Sequence, residues 1–148
     1  MQAKPLYQPL WADHASLLAS RRARLTELLA RLDEARLPQA SSPVECAQHL
    51  LDMGVVAADA IEDQEAIGVA IGDELIRRAG FTWVTVDDDY GSEPVVAHPG
   101  KVAVIAPLSA VINRFEDGDV PFDLRAFIVE SLVVIEQTEI KERSSERP

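Results

Sequence analysis

Gln64-Glu65-Ala66-Ile67-Gly68-Val69-Ala70-Ile71-Gly72-Asp73-Glu74-Leu75-Ile76-Arg77-Arg78-Ala79-Gly80-Phe81-Thr82-Trp83-Val84-Thr85-Val86 is the stretch on which the fold turns. It reads as a helix, a glycine stop and a strand. Ile67, Ile71 and Leu75 recur every fourth residue, and Ala70 widens the stripe, so one helical face is apolar. Gly68 and Gly72 share that spacing. Each costs roughly 1 kcal/mol against alanine inside a helix, so a compensating close approach of another backbone is expected there. The neighbouring charges Glu65, Asp73, Glu74, Arg77 and Arg78 exclude a lipid-facing Gly-x-x-x-Gly segment. Arg77 and Arg78 suit the last turn, where the helix dipole favours cations, and Gly80 suits the left-handed stop. In the strand, Phe81, Trp83 and Thr85 point one way, and Thr82, Val84 and Val86 the other. Asp87-Asp88-Asp89-Tyr90-Gly91 then reads as a turn.

The flanking chain is arranged to cover this unit. An extended arm is predicted over residues 1–12, broken by Pro5 and Pro9. A long helix is predicted from Asp13 to Arg36, with Leu18, Leu25, Leu28, Leu29 and Leu32 as its stripe. Its arginines, Arg21, Arg22, Arg24 and Arg31, read as a solvated face. Residues 37–41 form a linker. Ser42-Pro43-Val44-Glu45 is a capping box that opens a second helix ending near Gly54. Asp59 and Glu62 have the spacing of another cap before the central helix. Two further strands are expected at 94–97 and 101–106, making an antiparallel meander. Leu108, Val111, Ile112 and Phe115 mark a helix opened by Pro107 and closed by Gly118. A last helix runs from Leu124 to Glu139, and residues 141–148 read as a disordered tail. The expected fold class is therefore α+β: a three-stranded antiparallel β-meander packed with about five helices, in a single domain over 13–140.

At 148 residues the chain supports one sizeable core, and 47% hydrophobic with 26% charged residues is ordinary for a soluble protein. It has no apolar run long enough to span a bilayer, and MQAKPLYQPLWADH has no apolar signal core, so a cytoplasmic protein is expected. Cys46 is the lone cysteine, so no internal disulfide forms. The net charge of −11 is uneven. Residues 52–93 hold eleven acids against two arginines, a balance of −9, whereas residues 1–36 hold four acids and six bases, a balance of +2. Such a field repels nucleic acid and anionic membranes and attracts a basic protein.

Catalytic and metal patterns are poorly supported. His14, His49 and His98 lie in separate elements, and one cysteine excludes a cysteine-rich zinc site. Read as a calcium loop from Asp87, the fifth position is Gly91, the sixth Ser92 and the twelfth His98, which is the wrong ligand set. Cys46 and His49 are three apart on one helix; a thiolate–imidazole pair is weighed there against a small buried cysteine and a surface histidine. Ser92 lacks a nucleophile-elbow context, and no phosphate loop occurs. No catalytic residue, metal or cofactor is assigned. One polar set stands out: Asp73 beside the second helix glycine, Asp87 at the end of the Trp83 strand, and Arg114 and Glu116 around Phe115. It fits either a salt-bridged tie between helix and sheet or a small pocket.

The order Ile67-Gly68-x-x-x-Gly72-Asp73, Phe81-x-Trp83-Val84, an acidic turn ending Tyr90-Gly91, and Pro107-x-Ser109-x-Val111-Ile112-x-Arg114-x-Glu116-x-Gly118 resembles a bacterial family known as domain of unknown function 3806. The resemblance covers Val44 to Gly118. It implies a small α+β unit and brings no activity or catalytic residues with it. Three roles compete for such a chain. The first is a non-enzymatic immunity- or adaptor-type protein that binds a basic partner through acids at 59–65 and 87–93. Its candidate contacts are Asp87, Asp88, Asp89 and Tyr90. The second is a small-ligand or minor enzymatic pocket around Trp83, Asp73, Arg114 and Glu116. The third is a homodimer formed through the first helix.

Overall fold

The computed structural model describes residues 7–32, 42–99, 101 and 103–146, with side chains placed as far as Thr138. Chain order is β1 (Gln8–Pro9), α1 (Ala12–Ala30), α2 (Pro43–Asp52), α3 (Ile61–Ala79), β2 (Thr82–Asp88), β3 (Gly91–Ala97), β4 (Val104–Ile105), α4 (Pro107–Glu116) and α5 (Leu124–Glu146). The fold is α+β, with all sheet pairings antiparallel in the order β1-β2-β3-β4. The sheet therefore has four strands, where three were expected. Pro9 reads as a breaker in the sequence, yet β1 lies at the sheet edge, where a missing N–H is tolerated. β4 is only two residues long, and Val102 of the expected third strand lies outside the described residues.

α3 is the axis of the molecule. Ala66, Ile67, Ile71 and Leu75 are wholly buried, and α1, α2, α4, α5 and the β2–β3 ribbon pack around it. The two helix glycines explain how. A methyl group at Gly68 would lie 2.7 Å from the Leu108 Cα and 2.8 Å from the Pro107 carbonyl oxygen, so the start of α4 rests directly on the α3 backbone. A methyl at Gly72 would lie 2.2 Å from the Trp83 indole, so that ring occupies the space a side chain would need. Gly80 caps α3 at φ 73°.

The strand alternation is as expected. Phe81, Trp83, Val96 and Ile105 join the main core with the helices. Val84, Val95 and Ala97 form a smaller cluster with Tyr7, Val86, Val104 and Ala106. Ser42 caps α2, its hydroxyl accepting from the Glu45 N–H at 3.2 Å. The second expected cap is absent: the cap position of α3 is Ala60, without a side-chain bond. Buried Gln64 steadies this entry instead, its Nε2 donating to the carbonyls of Ala57 and Ala58 at 3.0 Å each. The acidic turn is tighter than expected. β2 and β3 pair out to Asp88 and Gly91, leaving Asp89 and Tyr90 as the turn residues, with Gly91 at φ 124°.

α1 ends at Ala30; residues 33–36 of the expected longer helix and the linker at 37–41 lie outside the described residues. Its Leu18, Leu25 and Leu28 are buried in the core of the same chain. α5 continues six residues into the segment where a tail was expected, and residues 147–148 lie outside the described residues. Among the described residues, no helix is long and apolar enough to cross a membrane.

Candidate functional site

The polar set singled out in the sequence divides in two. Asp73 and Trp83 are joined: the indole N–H donates to Asp73 Oδ1 at 3.0 Å, tying α3 to β2. The cation that completes this tie is Arg22 of α1. Its Nε donates to Asp73 Oδ2 at 2.8 Å and its Nη2 to Oδ1 at 2.9 Å, a two-pronged pair. The Arg22 hydrogen bond to Asp73 raises the guanidinium pKa. Arg114 is engaged elsewhere. It donates to Asp119 at 2.7 Å and lies over the Phe122 ring, 4.7 Å from its centroid. Glu116 is exposed. One pocket shared by all four is therefore not assembled.

Arg22 was missed because the α1 arginines read as a solvated face. Arg21, Arg22 and Arg24 dock on α3 instead. Arg21 pairs with Glu65 at 3.1 Å and Arg24 with Asp63 at 2.6 Å. The opposite charge balances of residues 1–36 and 52–93 were the available signal.

These pairs decide which acids remain for a partner. Asp63, Glu65 and Asp73 are engaged by α1, and Glu74 by Arg77. Asp59, Glu62, Asp87, Asp88 and Asp89 stay exposed. The last three stand at the tip of the β2–β3 ribbon, and Tyr90 beside them is 100% exposed. The ribbon carries this tip toward the start of α3. Trp83 rests on Gly72; further along, Glu93, opposite Val86, accepts the Ser109 hydroxyl next to Leu108, which rests on Gly68. Asp59, Glu62 and the ribbon tip therefore share one end of the molecule.

A cleft of about 270 Å³ separates this tip from α4, lined by Val86, Asp88, Tyr90, Ser92, Glu93 and Ser109. The turn itself is held by the Tyr90 N–H donating to Asp88 Oδ1 at 2.9 Å. Adjacent ribbon residues point to opposite faces, so Asp87 and Asp88 diverge. Among the described residues, no group of three or more His, Cys, Asp or Glu side chains is placed to hold a metal. The arrangement is suited to attracting and seating positive charge beside an exposed aromatic ring.

Cys46 is half-buried, and burial followed by the neighbouring Glu45 raises its thiol pKa. That favours the thiol over the thiolate and opposes a nucleophilic role.

The model of the family described as Domain of unknown function (DUF3806) matches residues 43–127. The fold is similar to a crystal structure from Bacteroides thetaiotaomicron VPI-5482, with a TM-score of 0.72 and 16% identity over 85% of this chain and 46% of that one. This chain thus spans about half the length of that protein, and the likeness is one of fold. The search of curated proteins gave no match.

Proposed function

The chain belongs to the DUF3806 family, and from that premise we propose that it is a non-enzymatic binding module, of immunity or adaptor type, that docks a basic protein on its acidic end. What supports this reading most is the ribbon tip: Tyr90, 100% exposed, set among the exposed carboxylates of Asp87, Asp88 and Asp89. An exposed tyrosine gains most when a partner covers it, and tyrosine is among the residues that carry interface energy. The carboxylates steer a cationic surface toward it and fix the approach. α1 supports the same reading, because its arginines already engage Asp63, Glu65 and Asp73 of α3 and leave the acids of the ribbon tip open.

The test is a partner captured from the source cells and then titrated in pure form against the wild-type chain, Tyr90→Ala, and the triple Asp87→Asn, Asp88→Asn, Asp89→Asn variant. Truncating Tyr90 should weaken binding by about 2 kcal/mol, roughly thirtyfold. The triple variant should lower the association rate and flatten its salt dependence. A partner that binds both variants and the wild type equally well, at low and high salt alike, would end this reading.

A further inference from the structure

α5 is apolar on two sides. Leu124, Ile128 and Ile135 are buried in the core. At about 100° per residue, Val129 and Val133 stand on the opposite side of the helix. They are 52% and 45% exposed, and Val134 beside them is 58% exposed. Ala126, also exposed, precedes Val129 by three residues, so Ala126, Val129 and Val133 keep the three-then-four spacing of a helix–helix seam. A helix that is apolar on every side belongs inside an assembly. α5 also outruns its own core. Among the described residues its last buried one is Ile135, yet it continues to Glu146, about 16 Å further. An uncovered helical stretch that short is marginal in water.

The charges beside the seam say what covers it. Arg125 flanks its start and Glu136 its far end, and both are exposed. They are about three helical turns apart, so they share one flank. Arg125 commits its Nη2 to Glu45 at 2.6 Å and keeps further N–H donors. Glu136 makes no ion pair among the described residues. Consider a second copy laid antiparallel on α5, about a twofold axis level with Ser131. Val129 then meets the second copy's Val133, and Val133 its Val129, while Arg125 of each copy reaches Glu136 of the other. A parallel pairing would set Arg125 on Arg125 and Glu136 on Glu136, like charge on like. The face is therefore complementary to itself in one direction only.

We infer that two copies of this chain associate through α5, antiparallel, with Val129 and Val133 as the seam and an Arg125–Glu136 pair at each end. Few side chains are covered, and Glu130 flanks the seam near its own twofold copy. The association is therefore weak, with a dissociation constant on the order of 50 µM. This sets the second copy on α5 and not on α1, whose leucines are buried in the chain's own core. None of these residues belongs to the ribbon tip, so the pairing stands or falls apart from the protein-binding role. Where both hold, the dimer carries two ribbon tips and gains from bivalent contact.

The test is sedimentation equilibrium of the full chain from about 5 to about 500 µM. The average mass should climb toward twice that of one chain across this range. Val133→Lys changes an exposed site; it should stay monomeric throughout, with helix content and melting temperature unchanged. Glu136→Arg brings two guanidinium groups together and should weaken the dimer about tenfold. Adding Arg125→Glu to that variant exchanges both charges and should restore the dimer, which a purely structural disturbance would not do. A monomer mass over the whole range, a dimer undiminished in Val133→Lys, or a double variant no tighter than Glu136→Arg alone would each overturn the assignment.

Discussion

Two single atoms' worth of space hold α3 in place. In an ordinary helix interior, Gly→Ala stabilises by about 1 kcal/mol. Here the sign should reverse. The methyl of Gly68→Ala meets the backbone of Pro107 and Leu108, which cannot rotate away, so α4 must shift as a body. A loss of about 2–3 kcal/mol in urea denaturation is expected. Gly72→Ala drives the Trp83 indole off its seat and strains its hydrogen bond to Asp73; it should destabilise by a similar amount and change the tryptophan fluorescence. Cys46 makes the opposite kind of prediction, about reactivity. Its pKa is raised in the fold, so the native chain should react with iodoacetamide more slowly than the urea-unfolded chain at the same pH. The linkage follows in sign: above the ordinary thiol range the unfolded chain loses this proton first, so stability should decline as pH rises through that range.

At the scale of elements, α1 acts as a charged clasp. It buries Leu18, Leu25 and Leu28 and sets three arginines on the carboxylates of α3. Its start is sealed to β2, where the Trp11 N–H donates to Thr85 Oγ1 at 3.0 Å and the same hydroxyl lies 2.8 Å from His14 Nδ1. Partly exposed pairs like Arg22 and Asp73 contribute modestly one by one, about 1 kcal/mol or less. Replacing Arg21, Arg22 and Arg24 together with glutamine should lower the melting temperature and leave Asp63, Glu65 and Asp73 repelling one another. Salt should then rescue the variant more than it helps the wild type, because the variant has no attractive pairs here for salt to weaken. An equal response to salt in both chains would mean that the clasp is held by its leucines alone.

Over the whole molecule, the net charge of −11 is sorted by folding. The middle of α3 is neutralised from within, whereas Asp87, Asp88 and Asp89 stay exposed beside Tyr90. Association with a basic partner should therefore slow as ionic strength rises past about 0.1 M, where the screening length falls to about 10 Å. The family match begins at Pro43, so α1 lies outside it although it completes the core. Much of this was legible beforehand. The four-residue rhythm of Ile67, Ile71 and Leu75, the glycine pair, the Gly80 stop and the alternation around Trp83 determined the helix, the strand and their close contact. They could do so because periodicity and backbone sterics act over a few residues. The same local logic misplaced the α3 cap and missed β1, since a two-residue edge strand has no periodicity to read. The pairings of Arg21 with Glu65, Arg22 with Asp73 and Arg24 with Asp63 were decided only by the tertiary structure. Each joins residues tens of positions apart, and the partner of a charge depends on which surfaces the core brings face to face.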